Sequence, residues 1–515
     1  MLTGLILTDT RRLASILSSN PQKVKEVITS YVSLCNSYID WQIVDVSDEI
    51  YADIDKRSWW EYIPILNDYY IGLGLQDRSY CPLFILGGDN VVPMPTIRNP
   101  LFKGREYLYS DMAYCFYSLD IRLEDYISQK PRFAVGRLPL TNDWSIDDLV
   151  AYLNDCVDFA ANGIPIRGAA MTTTQSWLRA SNEMMRDIPT ISLSEDYVPL
   201  NNRMIVSPDL DTSYEEMYDG YVHELKKIDF LVCNLHGSDV KEVPFFLGED
   251  SSGSTDYIAT QPSMLKESSP YIFNTVACYG ARYIDYDTRE ALSCDDSMVQ
   301  VSLLCGTMLY CGSCDTAYGG GKDDEARVSE LMMKLYNIYL HKGIPAGLAL
   351  IKAKQDYYKT CHDEDDDEYA MFTILEFNLF GCPIISMQPR LSADYEPRLL
   401  GQPIAKNTQT SYRPKTIEVV SGGAHKAENI HDYVRGLVDN NLSIIKQKVE
   451  AEVYRRLGLG KDNLQQIMRV SQDNRAIGYR FMYALTPQET YRRLEMYYII
   501  DADNDGRITK IIQTK

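Results

Sequence analysis

Along the chain, short apolar runs of roughly five to eight residues end in glycine, proline or aspartate, with helix-patterned stretches between them. Leu5–Thr8 and Pro82–Leu86 are the first such runs, with the alternating Trp41–Val46 between them, and Pro82–Leu86 leads into Gly87-Gly88-Asp89. Arg132–Val135 follows and ends in Gly136-Arg137. Helical patterning spans 22–35 and 57–72. The alternation resumes with Gly168–Thr173 and a helix reaching about 187. Ile228–Leu235 ends in His236-Gly237-Ser238, Tyr271–Ala277 in Cys278-Tyr279-Gly280, and Thr307–Cys311 in Gly312. Helices are predicted over 324–340, 346–360 and 368–377. Runs that are apolar on both faces suit the buried central strands of parallel sheets, and strands alternating with helices imply helices on both faces. The pattern therefore predicts an α/β fold in two consecutive units, 1–160 and 161–390.

The rhythm changes beyond residue 390. Residues 391–411 are rich in Pro, Gln, Ser and Thr and read as a linker. A helix over 428–457 and strands over 478–484, 493–500 and 507–514 predict a small α+β domain at 412–515. Asp503-Asn504-Asp505-Gly506 joins the last two strands as a hairpin turn. Asp501, Asp503, Asp505 and Gly506 also match the opening of a calcium loop. The twelfth position is Ile512 instead of a bidentate Glu, so the turn reading is favoured. The acidic run 361–369 reads as an exposed loop.

Length, charge and cysteines narrow the classes. A chain of 515 residues exceeds one ordinary core. The net charge of −21 argues against general affinity for nucleic acid or anionic membrane. No stretch approaches the ~18 apolar residues of a membrane span. The apolar run Leu5–Leu7 is too short for a signal-peptide core and reads as a first strand. Twelve cysteines at irregular spacing, several inside apolar runs, argue against a disulfide framework and fit a reducing cytoplasm. A secreted form with its signal removed stays open. Cys311-Gly-Ser-Cys314 lacks the context of a redox motif and reads as structural.

Two of the strand ends carry chemistry. Sites in open parallel sheets collect at the carboxyl ends of strands. A cysteine nucleophile needs a nearby base and donors for an oxyanion. If the strands ending in His236 and Cys278 are neighbours, imidazole and thiol emerge side by side. Gly237 permits close backbone approach, and the amides of Gly237 and Cys278 could form the oxyanion hole. No G-x-S-x-G elbow, Walker loop or G-x-G-x-x-G fingerprint is present. Gly319-Gly320-Gly321-Lys322 reads as a flexible loop on the substrate side.

Val276-Ala277-Cys278-Tyr279-Gly280 resembles the caspase signature Gln-Ala-Cys-[Arg/Gln/Gly]-Gly, whose histidine lies ~50 residues upstream; here 278 − 236 = 42. Other landmarks resemble the gingipain (C25) branch of the same clan of cysteine peptidases. They are Gly87-Gly88-Asp89 before Val92-Pro93, Ser110-Asp111-x-x-Tyr114, Gly136-Arg137, and Phe380-Gly381-Cys382-Pro383 with Cys where the family has Asp. They fall in the family's order over about 1–390.

The resemblance implies tandem caspase-like, doubly wound, mostly parallel sheets: a non-catalytic subdomain at 1–160 and a catalytic one at 161–390. It implies a cysteine endopeptidase acting through a Cys278–His236 dyad and a thioester acyl-enzyme, latent until activated, with no metal or organic cofactor. Its partners would be a protein or peptide substrate and a regulatory protein. The family's acid behind the histidine would fall at Thr172-Thr173-Thr174-Gln175, where none stands. The acid that reads a basic substrate side chain would fall near Asn182, which is uncharged. Asp315, Thr316 and Tyr318 are the substrate-binding candidates, with Asp295 and Asp296 as further acids nearby. The missing acid and the Cys in the closing motif also motivate a rival: a catalytically silent caspase-like scaffold that binds a partner protein.

Overall fold

The computed structural model describes residues 2–52, 55–75, 80–101, 106–115, 131–186, 200–206, 214–239, 244–249, 257–320, 324–361, 367–388, 415–422, 440–457, 459–472, 475–485 and 496–514. The first stretch of chain supplies β1 (Leu2–Thr8), β2 (Ile39–Asp45) and β3 (Cys81–Leu86). A small hairpin of β4 (Thr96–Arg98) and β5 (Tyr107–Tyr109) then leads to β6 (Phe133–Leu138). The second supplies β7 (Gly168–Thr173), β8 (Leu200–Val206), β9 (Phe230–Asn234), the hairpin β10 (Phe246–Gly248) with β11 (Tyr257–Thr260), β12 (Ile272–Thr275), β13 (Leu309–Ser313), the short β14 (Tyr318–Gly319) and β15 (Phe377–Gly381).

Ten of these strands form one sheet in the order β2-β1-β3-β6-β15-β13-β12-β9-β7-β8. The pairs β2·β1·β3·β6 and β13·β12·β9·β7·β8 are parallel, and β15 runs antiparallel to β13. The α/β reading holds, but the two units share this single sheet where two sheets were expected. The joint is β15, which meets β6 with Phe380 opposite Arg137. It covers two strand edges that would otherwise present unpaired N–H and C=O groups. Leu5, Ile6 and Leu7 in β1, and Leu231 and Val232 in β9, are fully buried, as strands covered on both faces must be.

Helices seal the faces by the same logic. Ile146–Asn162 opens with a capping box between Ser145 and Asp148, which satisfies two orphan donors of its first turn. It buries Leu149, Leu153, Cys156 and Ala160, spaced three to four residues apart. From this helix the Tyr152 hydroxyl donates to the Met308 carbonyl at 2.9 Å and accepts from the Cys382 amide at 3.2 Å. One tyrosine thus ties the first stretch of chain to β13 and to the end of β15.

The C-terminal unit contains β16 (Lys415–Gly422), a helix at Asn440–Leu457, then β17 (Leu464–Gln472), β18 (Arg475–Leu485), β19 (Met496–Asp503) and β20 (Ile508–Thr514). Strands β16 to β20 pair as an antiparallel meander. The helix places Ile445, Val449 and Val453, each four residues apart, against Ile467, Phe481, Tyr483 and Ile500. The α+β reading holds here as well. Strands β16 and β17 were not foreseen, because polar residues interrupt both. The hairpin turn is as expected: an Asp503 carboxylate oxygen accepts the amides of Asp505 and Arg507, each at 2.9 Å. The linker 391–411 and the helix's expected start at 428–439 lie outside the described residues.

The acidic run 361–369 needs a correction. Cys361 closes the helix Ala346–Cys361, and Asp367 opens the helix Asp367–Glu376; 362–366 lie outside the described residues. Tyr369 is buried, its ring edge-on to Tyr318 at 5.3 Å. Packing of that aromatic face overrides the local charge pattern.

Candidate active site

Strand register decides where the two candidate groups emerge. Ile272 lies opposite Phe230 and Thr275 opposite Cys233, an offset of 272 − 230 = 42. The separation of Cys278 from His236 is also 278 − 236 = 42. The ladder continues past the strands, with the Val276 amide donating to the Cys233 carbonyl at 2.9 Å. The two residues therefore leave adjacent parallel strands at the same height.

The contact between the tips is close. A Cβ built on Gly237 would overlap the Cys278 carbonyl oxygen and stand 3.2 Å from the Cys278 amide nitrogen. Only glycine fits between the imidazole-bearing and thiol-bearing turns. The amide of Gly237 has no backbone partner among the described residues. The Cys278 thiol donates to the Ala317 carbonyl at 3.5 Å.

Tyr279, next in the chain, has φ 54°, a left-handed conformation uncommon for a bulky residue. It is held there from β13's side: its amide donates to the Asp315 carbonyl at 2.7 Å, and its hydroxyl lies 3.0 Å from the Thr316 hydroxyl. Gly280 lies where a Cβ would meet Thr275 Cγ2 at 2.7 Å. Strain of about 1–3 kcal/mol at such a residue persists only where the surroundings over-determine it.

The acid absent from β7 arrives on another element. After His236 the chain returns through β10, where Leu247 exchanges backbone hydrogen bonds with His236 at 2.9 and 3.0 Å. Two residues further, a Glu249 carboxylate oxygen lies 2.8 Å from His236 Nε2. Its other oxygen accepts from the Ser176 hydroxyl at 2.9 Å. Trp177 packs its ring 4.4 Å from the imidazole. Ser176 and Trp177 directly follow Thr172–Gln175, so the neighbourhood of the missing acid is at the histidine, but it supplies a hydroxyl and an indole there. Sequence reasoning missed Glu249. The available signal was Phe245-Phe246-Leu247-Gly248-Glu249, a short apolar run ending in glycine and an acid thirteen residues past His236.

The substrate-binding candidates have structural ties as well. The Asp315 side chain accepts the Thr316 amide at 2.7 Å, and Asp315 is buried. Tyr318 packs edge-on to Tyr369 and Phe372, at 5.3 and 5.2 Å between ring centroids. Asp295 pairs with Lys266 at the surface, and Asp296 accepts from the Ser293 hydroxyl. Asn182 is exposed and donates to the Leu178 carbonyl. Cys311 and Cys314 are buried and unlinked. Gly319 lies in β14, while Gly321 and Lys322 lie outside the described residues. No group of three or more His, Cys, Asp and Glu side chains among the described residues is arranged to hold a metal ion. No helix of the described residues is long and apolar enough to cross a membrane.

Comparison with known proteins gave no matching family model and no matching curated protein. Among solved structures, the chain is similar to the Arg-specific cysteine proteinase gingipain R, at 10% identity and TM-score 0.46, covering 98% of this chain and 95% of that one. It is similar to the complex of the pro- and mature domains of RgpB from Porphyromonas gingivalis, at 11% identity and TM-score 0.45, covering 99% of each. A third likeness is to the Saccharomyces cerevisiae separase–securin complex, at 12% identity and TM-score 0.30, covering 48% of this chain and 14% of that one.

Proposed function

We propose that this chain is a cysteine endopeptidase that hydrolyses peptide bonds through Cys278 and His236, with Glu249 orienting the imidazole. The observation that carries the reading is the shared offset of 42 between the register of β9 with β12 and the His236–Cys278 pair.

The chemistry follows from the hydrogen bonds. Both oxygens of Glu249 accept, one from Ser176 and one from His236. A carboxylate that only accepts requires the proton on Nε2, which leaves the lone pair on Nδ1. Nδ1 is then the base that takes the thiol proton. The thiolate attacks the scissile carbonyl, and the amides of Gly237 and Cys278 stabilise the oxyanion. Charge on the resulting imidazolium is balanced by Glu249. His236 next protonates the leaving amine, and water hydrolyses the thioester. Every step uses side chains and amides of this chain.

A second reading is favoured by one observation. His236 is 1% exposed and Cys278 5%. Groups sealed to that degree suit either a latent enzyme that opens on activation or a silent scaffold that binds a partner protein. Cleavage of a mixed peptide library, wild type beside Cys278→Ala, separates them. The peptidase reading expects cleavage by wild type and none by the variant. Equal cleavage by both removes Cys278 from the chemistry, and no cleavage by wild type, even after limited proteolytic treatment, leaves the scaffold.

A further inference from the structure

The landmarks Gly87-Gly88-Asp89, Ser110-Asp111 and Gly136-Arg137 take no part in the chemistry above, yet the structure connects all three. Arg137 is buried and donates from Nε and Nη2 to the two Asp111 oxygens at 2.8 and 2.7 Å. Its Nη1 reaches the carbonyls of Gly87 at 3.0 Å and Val92 at 2.7 Å. This fork fixes the loop after β3. Within that loop the Asp89 carboxylate accepts the Met94 amide at 2.7 Å. It receives Arg289, whose Nη2 and Nε lie 2.5 and 3.0 Å from the two Asp89 oxygens. Arg289 also donates to the Met94 carbonyl at 3.2 Å.

Arg289 belongs to the segment that begins at the nucleophile. Residues 283–292 fold back as a narrow loop: Ile284 bridges Ala291, and the Leu292 amide donates to the Tyr283 carbonyl at 2.9 Å. Four described non-glycine residues have positive φ, and two of them, Tyr279 at 54° and Arg289 at 60°, lie in the twelve positions after Cys278. Neither conformation is one the residue would choose alone, so contacts must hold both. A stack of rings and cations joins them. The Arg289 guanidinium lies over Tyr109 at 5.4 Å. Tyr109 is stacked on Tyr286 at 4.7 Å and 12°. Arg282 covers Tyr286 at 5.0 Å, and Tyr279 lies against the same ring at 6.3 Å. Each guanidinium–ring contact adds a directional attraction to the packing.

We infer that the Asp89–Arg289 pair is a clamp by which the first half of the sheet positions the nucleophile's loop, and that Asp89 and Arg289 are positioning residues for Cys278. The inference rests on the peptidase reading. In it, the bidentate fork pins one strained residue, Arg289. The ring stack carries that constraint to the other, Tyr279, whose backbone sets the direction of Cys278. A point charge in place of the fork would keep the attraction and lose the angle.

The test measures inactivation by a peptidyl chloromethyl ketone and peptide hydrolysis, in the full-length protein, for wild type, Asp89→Asn, Arg289→Gln and Arg289→Lys. Melting midpoints are recorded beside each rate. Arg167→Ala is the control, because Arg167 pairs with Asp229 at the amino end of β9, away from the strand tips. Expected are falls of about 10- to 100-fold in the inactivation rate and in kcat for Asp89→Asn and Arg289→Gln, with KM little changed and an intermediate fall for Arg289→Lys. Arg167→Ala should lower the melting midpoint and leave the inactivation rate alone. Wild-type rates in both Asp89→Asn and Arg289→Gln would overturn the clamp and leave the peptidase reading intact. So would losses that merely follow the loss of folded protein. Wild type that does not react at Cys278, even after limited proteolytic treatment, would overturn the peptidase reading and the clamp with it.

Discussion

The tips of the first-half strands and the tips of β9 and β12 are built alike and differ in what their polar groups are left to do. Both follow fully buried apolar strands and both turn on glycine. At the first set, Arg137 donates to both Asp111 oxygens and to three carbonyls, and Asp89 is filled by Arg289 and the Met94 amide. At the second set, one imidazole nitrogen is held by Glu249 while the other is available, and the Gly237 amide is uncommitted to backbone among the described residues. A strand tip provides a place for chemistry. Polar valences left uncommitted there decide whether chemistry can follow.

The comparison breaks first at Arg137. Its replacement by leucine strands the Asp111 carboxylate in a dry interior, and removing one partner of a buried ion pair costs about 3–5 kcal/mol. Denaturant unfolding should show a loss of that size. A loss under about 1 kcal/mol, the range of an exposed pair, would mean that this tip is not the saturated one.

His341 offers a second, pH-dependent probe of uncommitted polarity. It ends the helix Ser329–His341, its ring tilted against Phe230 at 5.2 Å, and its Nε2 has no partner among the described residues. Burial lowers its pKa to about 4. The folded state prefers the neutral ring, so stability is fully present above the unfolded value of about 6.5 and is lost as pH falls toward 4. The shift amounts to about 3 kcal/mol over that window. His341→Phe should flatten the decline of the unfolding free energy between those two pH values. A decline unchanged by the substitution would assign it to other groups.

The smallest expected effect sharpens the second set of tips. Glu249→Gln keeps the shape, but its amide N–H can face Nε2 and stabilise the wrong tautomer. The inactivation rate should fall on the order of 10²-fold, within the range for misassigned histidine partners, with the melting midpoint nearly unchanged. An unchanged rate would leave the pair working without a third member.

Much of this was legible in the chain. Ile228–Leu235 and Tyr271–Ala277 announce buried strands by apolar content alone, and their glycine-bearing ends mark where side chains must emerge. Three features were not legible, each because it is a tertiary event. The single sheet depends on β15, which enters between β6 and β13, parallel to the first and antiparallel to the second, and lies far from β6 in the sequence. Glu249 reaches the imidazole because the three-residue strand β10 returns alongside His236, a pairing no local pattern encodes. Asp315 was singled out for its charge, yet its clearest service is a backbone carbonyl that holds Tyr279.

The most direct test is an alkylation map of all twelve cysteines in the native protein at neutral pH, wild type beside His236→Ala. Ten are buried, while Cys305 and Cys361 are partly exposed. Exposure alone would make those two react first. The proposed pairing predicts that a peptide-like electrophile modifies Cys278 ahead of both, and that His236→Ala removes this preference while Cys305 and Cys361 react as before. Modification of Cys305 and Cys361 alone, with Cys278 reacting only on unfolding even after limited proteolytic treatment, would contradict it.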